Sequence, residues 1–178
     1  MRVGLTRHFL VPHRLSEAVD SEGFTKWIAW YDDVAGNALR AASSNGSWDL
    51  CYSSDLRRAH ETATAIYSGP VERTQILREV PFGPAFRSSA RIPLYIWQML
   101  ARIGWYLGHS AQPESRTNSR NRVAEFLDML CARHPDQNVL IVSHGFLMQL
   151  LARELRRRGF RGSVPVRPRG GETYVFER

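Results

Sequence analysis

The stretch "NVLIVSHG", residues 138–145, constrains the fold more than any other part of this chain. Val139, Leu140, Ile141 and Val142 follow one another with no polar alternation. A strand of that kind must be covered on both faces, as in a parallel sheet packed between helices. It ends on Ser143, His144 and Gly145. Near the N-terminus "RVGLT" reads as another short apolar strand, and it too stops on charged and titratable residues, Arg7 and His8.

Helical patterns separate the strand patterns. Phe24, Trp27, Ile28 and Tyr31 recur at helical spacing. "WDLCYSS" reads as a strand, followed by a helix from about Asp55 to Tyr67. "TQILREV" is a short extended segment running into a loop at Pro81 and Gly83. Ile92–Leu107 is helical and rich in aromatics. Ser115, Thr117 and Ser119 offer cap oxygens to a helix in which Val123, Phe126, Leu127 and Leu130 share a face. After His144, a further helix turns Leu147, Leu150, Leu151 and Leu155 inward. Its arginines gather at the C-terminal end, which suits the dipole, and Gly159 stops it. "ETYVFE" closes as a strand. The pattern predicts a single α/β domain over residues 1–178, a three-layer α/β/α sandwich with a mostly parallel sheet. Sites in such sheets form beyond the carboxyl ends of the strands.

The 178 residues suit one domain, and 43% hydrophobic with 23% charged residues is an ordinary globular balance. Lys26 is the only lysine, so 23 of the 24 residues behind the cationic side of the +7 net charge are arginines. Their rigid donor fork matches phosphate and carboxylate oxygens. Cys51 and Cys131 form no disulfide framework, which fits a reducing compartment, so a cytoplasmic protein is expected. No signal peptide pattern opens the chain. "IPLYIWQMLARIGWYL" is broken by Pro93, Gln98 and Arg102 and is too short to span a bilayer, so no membrane partner is expected.

Taken in order, "LTRHF", "SSDLRRAHETA", "REVPFG", "PES" and "VLIVSHG" resemble the signatures of the histidine phosphatase superfamily, the phosphoglycerate-mutase-like family. The matches run from Leu5 to Gly145. The resemblance implies a metal-independent phosphatase without a cofactor. In that pattern His8 is the nucleophile that forms a phosphohistidine, and Arg7 binds phosphate. The arginine directly before alanine, Arg58, is a second phosphate ligand, and His144 is the second histidine. Glu79, in a Glu-x-x-x-Gly segment ending at Gly83, is the proton donor.

Chemistry gives those residue types a reason. Charge in a transferring phosphoryl group sits on its equatorial oxygens, which two guanidinium groups and an imidazole can cage. A nitrogen nucleophile needs an unprotonated ring nitrogen, and neighbouring cations lower a histidine pKa in that direction. A carboxylic acid can protonate the leaving alkoxide, and its carboxylate can then activate water. Gly145 at the start of a helix is expected to leave amide donors free for an anion.

Departures from the family pattern are visible. Phe9 stands where the family has glycine, so it either packs away from the pocket or narrows it. Arg14 stands where mutase-like members often have asparagine, and it either contacts phosphate or faces solvent. Val80 replaces the basic residue that mutases place after their acid, and no Trp-Glu-Gly follows Gly83, which favours phosphatase over mutase. Arg57 reads as a solvated helix residue. The aromatic segment with Trp97, Met99, Trp105 and Tyr106 is expected to pack the core, and a helical lid at about 84–115 would govern the leaving group.

Rival readings remain. "CYSSDLR" has the Cys-x5-Arg spacing of cysteine phosphatases, but it would hold Asp55 against the anion and lacks an internal glycine. No histidine spacing suggests a metal site. "RELRRRGFRG" reads as a solvated helix end with no readout motif, so nucleic acid is not expected. A catalytically weak phosphate-binding or scaffold protein of the same fold, and a phosphomutase, stand as alternatives. The substrate expected is a small phosphate ester or a phosphoprotein, and the oligomeric state is not legible.

Overall fold

The computed structural model describes residues 1–12, 16–35 and 46–178. Five strands form the main sheet: β1 (Arg2–Arg7), β3 (Leu50–Ser54), β4 (Val71–Thr74), β6 (Asn138–Ser143) and β7 (Thr173–Glu177). Their order is β4-β3-β6-β1-β7, parallel except for β7, which runs antiparallel against β1 at the edge. The two apolar runs singled out in the sequence are therefore neighbours, with Arg7 opposite Ser143.

The doubly covered strand is what the sandwich requires. Val139 and Ile141 turn to one face, where they pack with residues of α4 (Arg116–Arg133) and α5 (Gly145–Arg157). Leu140 and Val142 turn to the other, where they meet Ala59, Ala63 and Ile66 of α2 (Arg57–Ile66). Gly4 of β1 lets Trp48 lie flat on the sheet, since a Cβ there would stand 2.5 Å from the indole.

A smaller cluster joins α1 (Ser21–Asp33) to α3 (Leu94–Leu107) through Phe24, Leu94, Trp97 and Ala101. A short two-stranded ribbon, β2 (Ala18–Val19) with β5 (Ile92–Pro93), ties the starts of these helices together. Asp20 caps α1 by accepting the Gly23 amide at 2.8 Å.

Several boundaries differ from the sequence reading. The helix expected from Asp55 begins at Arg57, because Ser54 and Asp55 still belong to the strand exit. "TQILREV" holds a turn of 3₁₀-helix at Gln75–Leu77 rather than continuing extended. Ser115 alone caps α4, accepting the Asn118 amide. In α5, Leu147, Leu151 and Leu155 are buried as expected, but Met148 and Ala152 complete the face while Leu150 is only half-buried.

Candidate active site

Because β1 and β6 are paired in register, His8 and His144 leave the sheet side by side. Their ring centroids lie 5.0 Å apart, and both residues are buried, 3% and 1% exposed. The His8 amide still donates to the Ser143 carbonyl at 2.9 Å, which fixes the exit of β1. His8 Nδ1 is 2.6 Å from the Phe9 carbonyl oxygen. A carbonyl only accepts, so Nδ1 carries the proton and Nε2 keeps the lone pair. Burial, reinforced by the charges of Arg58 and Arg7, pushes the His8 pKa down to about 3, against the opposing pull of the Phe9 carbonyl.

His144 is oriented by the end of the neighbouring strand. Its Nε2 lies 2.9 Å from Ser54 Oγ, which also accepts the Leu56 amide at 3.3 Å. The Ser54 hydroxyl can donate to or accept from this nitrogen, so the pairing fixes the orientation of the ring. Burial, then His8, Arg58 and Arg7, hold this imidazole well below its ordinary pKa. The sequence pointed to cations as the cause of these depressed values; burial is the larger one.

Arg58, in the first turn of α2, is 1% exposed. Nη1 donates to the carbonyls of Tyr31 and Asp32 at 2.6 and 3.3 Å, Nη2 donates to Asp32 Oδ1 at 3.1 Å, and the guanidinium stacks 4.5 Å above the Tyr31 ring. The C-terminal end of α1 thus holds the outer side of this arginine. Its Nε, like His144 Nδ1, is buried and has no hydrogen-bond partner among the described residues. Buried polar atoms without partners are costly, and an oxyanion would satisfy the Arg58 Nε–H donor. Arg57 points the other way, exposed and paired with Glu61 at 2.7 Å.

Arg7 anchors Nη1 on the Pro168 carbonyl at 3.1 Å and lies against Gly145, where a Cβ would stand 3.4 Å from Nε. The expectation for Gly145 needs correcting. The amides of Phe146 and Leu147 at the start of α5 donate to Glu79 Oε2 and Oε1 at 3.0 and 2.9 Å. Those donors are taken by a carboxylate from a distant loop, and Gly145 itself lies against the Arg7 guanidinium. Glu79 Oε1 also accepts the Val80 amide at 3.0 Å. Arg102, from α3, donates to the Val80 carbonyl at 3.0 Å and approaches Glu79 Oε2 at 3.9 Å, sandwiched between the Phe82 and Phe146 rings at 4.6 and 4.1 Å. A cation therefore stands beside Glu79 although Val80 follows it in sequence. Gln112 clamps Gly83 through both backbone groups, at 3.3 and 3.2 Å.

Phe9 packs with Trp48, Cys51 and Ala59 on the α2 side of the sheet, and its amide donates to Thr62 Oγ1 at 2.9 Å. Cys51 belongs to the same apolar cluster, and burial pushes its thiol up to about 12, which removes the thiolate a cysteine phosphatase needs. Arg14 lies outside the described residues. The aromatic segment divides: Trp97 and Trp105 are buried, whereas Met99 and Tyr106 are 53% and 56% exposed.

A cavity of about 420 Å³ has Arg58, Glu79 and Tyr31 in its wall, while His8, His144 and Arg7 lie outside its lining. Neither the pairing of Asp32 with Arg58 nor the reach of Arg102 to Glu79 had a sequence signal, since each joins segments at least 20 residues apart that carry no recognisable spacing.

An α/β/α sandwich with two imidazoles at adjacent strand ends defines the class. The chain belongs to the histidine phosphatase superfamily, branch 1, whose family model matches residues 35–164. That span includes Arg58, Glu79 and His144; Arg7 and His8 precede it and join them through the pairing of β1 with β6. No curated protein matches the chain. Among solved structures, a mutant phosphoserine phosphatase from Entamoeba histolytica in complex with phosphoserine superposes with a TM-score of 0.60 at 20% identity, covering 88% of this chain and 80% of that one. A protein from Thermus thermophilus gives 0.60 at 21%, covering 98% and 92%. A mycobacterial glucosyl-3-phosphoglycerate phosphatase gives 0.55 at 22%, covering 93% and 81%. At these identities the likeness establishes the fold.

Proposed function

We propose that the protein is a metal-independent phosphomonoesterase that works through a phosphohistidine on His8. The observation that carries this reading is the buried pair itself: an imidazole with its lone pair on Nε2, 5.0 Å from a second imidazole, with an arginine, Arg58, whose buried Nε–H donor has no acceptor among the described residues. In the first step the Nε2 lone pair forms the P–N bond as the ester P–O bond breaks. The leaving oxygen takes a proton from the Glu79 carboxyl. In the second step the Glu79 carboxylate takes a proton from water, whose oxygen displaces Nε2 and releases inorganic phosphate. Arg7, Arg58 and His144 hold the equatorial oxygens, where charge accumulates.

Phe9, the feature that favoured a catalytically weak binding protein, packs into the apolar cluster with Trp48, Cys51 and Ala59. Relatives of this fold carry phosphoserine and 3-phosphoglyceric acid in their structures, which supports small phosphate esters as the substrate class. We take residues 84–115 as the segment that covers the site, within one domain spanning the chain.

Turnover of p-nitrophenyl phosphate with EDTA present tests the reading, alongside His8→Ala checked for folding by circular dichroism. Activity in the parent that is lost in the variant is expected. Equal activity in both, or none in a folded parent across a panel of phosphate esters, overturns it.

A further inference from the structure

Arg58 and Glu79 share the wall of the 420 Å³ cavity with side chains of a different character, and these restrict what can leave from the phosphorus. Ile28, Leu56, Val80, Pro81 and Phe82, with the ring of Tyr31, make most of the surface. They come from α1, from the turn before α2 and from the loop after Glu79. None of the first five offers a side-chain hydrogen bond, so hydroxyls of a polyol lying against them would lose their partners, with the Gln75 amide and the Tyr31 hydroxyl as the uncharged polar side-chain groups of the lining.

Each arginine of the cavity carries an acid partner, Arg58 with Asp32 at 3.1 Å among them. Arg78 gives Nε and Nη2 to the two oxygens of Asp55 at 2.7 and 2.6 Å. Arg122 gives Nε and Nη2 to Glu114 at 2.7 and 3.1 Å, and its Nη1 donates to the carbonyls of Ile76 and Arg78. Three arginines in the lining (58, 78 and 122) face three carboxylates (Asp32, Glu79 and Glu114), so the wall is neutral in sum. A carboxylate or second phosphate on the substrate would meet a wall without net charge, whose arginines already carry acid partners.

We propose that this cavity receives an uncharged, apolar or aromatic alcohol, so that the preferred substrate is the phosphate monoester of such an alcohol. The inference rests on the phosphatase reading and specifies its leaving group. Size agrees: a dry apolar cavity of about 150 Å³ holds a benzene ring, so 420 Å³ accommodates one or two rings with a short arm to the phosphate.

The test compares kcat/KM for alkyl monoesters, whose leaving oxygens have similar basicity: benzyl and 2-naphthylmethyl phosphate against 3-phosphoglycerate, phosphoserine and glucose 6-phosphate. The aromatic esters are expected to exceed the others by at least about tenfold, the discrimination an apolar pocket commonly supplies. In Phe82→Ala the ratio of kcat/KM for benzyl phosphate to that for methyl phosphate should fall by about tenfold. This ratio is insensitive to a partial loss of folded protein. His8-dependent hydrolysis that prefers the charged or sugar esters overturns the leaving-group inference and leaves the phosphatase reading standing. Absence of His8-dependent hydrolysis of every ester removes both.

Discussion

Acidification should destabilise this protein in a way that a single histidine reports. The unfolded chain binds a proton at His8 near pH 6.5, whereas in the fold burial and two arginines push that pKa down to about 3. The native state therefore binds fewer protons than the unfolded state in the window between these values. The His8 contribution to stability is constant above pH 6.5, declines as the pH falls below it, and stops declining below about 3. With 1.36 kcal/mol for each pH unit in that window, moving from pH 8 to pH 5 costs about 2 kcal/mol through His8 alone. Urea unfolding followed by tryptophan fluorescence at the two pH values measures this, with His8→Asn as the comparison. His144, held low in the same direction, and the paired carboxylates contribute to both proteins. The parent should lose about 2 kcal/mol more than the variant. Equal losses, within about 0.5 kcal/mol, or a His8 imidazole that titrates near pH 6.5 by NMR, would refute the argument. It would show that the ring can take its proton without leaving the site, and the free lone pair assigned to the nucleophile would lose its physical basis.

Phe9→Ala, which removes a ring packed against Trp48 and Ala59, should cost about 3 kcal/mol and lower the Tm by about 10 °C, with no gain in kcat; an unchanged Tm would contradict its packing. Glu79→Gln should lose part of the cap on α5, about 1 kcal/mol, and should slow alkyl esters by about 100-fold while slowing p-nitrophenyl phosphate much less. Equal slowing of both would remove Glu79 from the proton transfer. Gly145→Ala places a methyl group 3.4 Å from Arg7 Nε, an ordinary contact, so kcat/KM should change by less than about threefold at nearly constant Tm; a fall of about tenfold would show that the guanidinium has been displaced.

The parts of the site legible in the sequence share a property: each ends or begins an element with a strong local signature. His8 and His144 follow apolar strands, and the rule that parallel sheets expose chemistry at their carboxyl ends places both without knowledge of the strand order. Arg58 opens a helix directly after the third such strand. Glu79 is marked by its spacing to Gly83, yet its three amide contacts are not, because two of the donors lie 67 and 68 residues away. Asp32, Tyr31 and Arg102 carry no comparable signature. They are ordinary members of amphipathic helices until α1 and α3 pack over the strand ends.

The order of residues by itself determined which segments must be doubly covered and therefore which side chains stand at strand tips, since pleat period and helix period depend only on local spacing. Tertiary structure decided the charge states and the shape of the pocket. A histidine loses its proton because of what surrounds it, and the neutral, apolar wall beside Arg58 exists only where cations and carboxylates far apart in the chain, Arg78 with Asp55 and Arg58 with Asp32, meet and cancel. Such cancellation depends on distances of about 3 Å between groups more than 20 residues apart, and no local pattern encodes them.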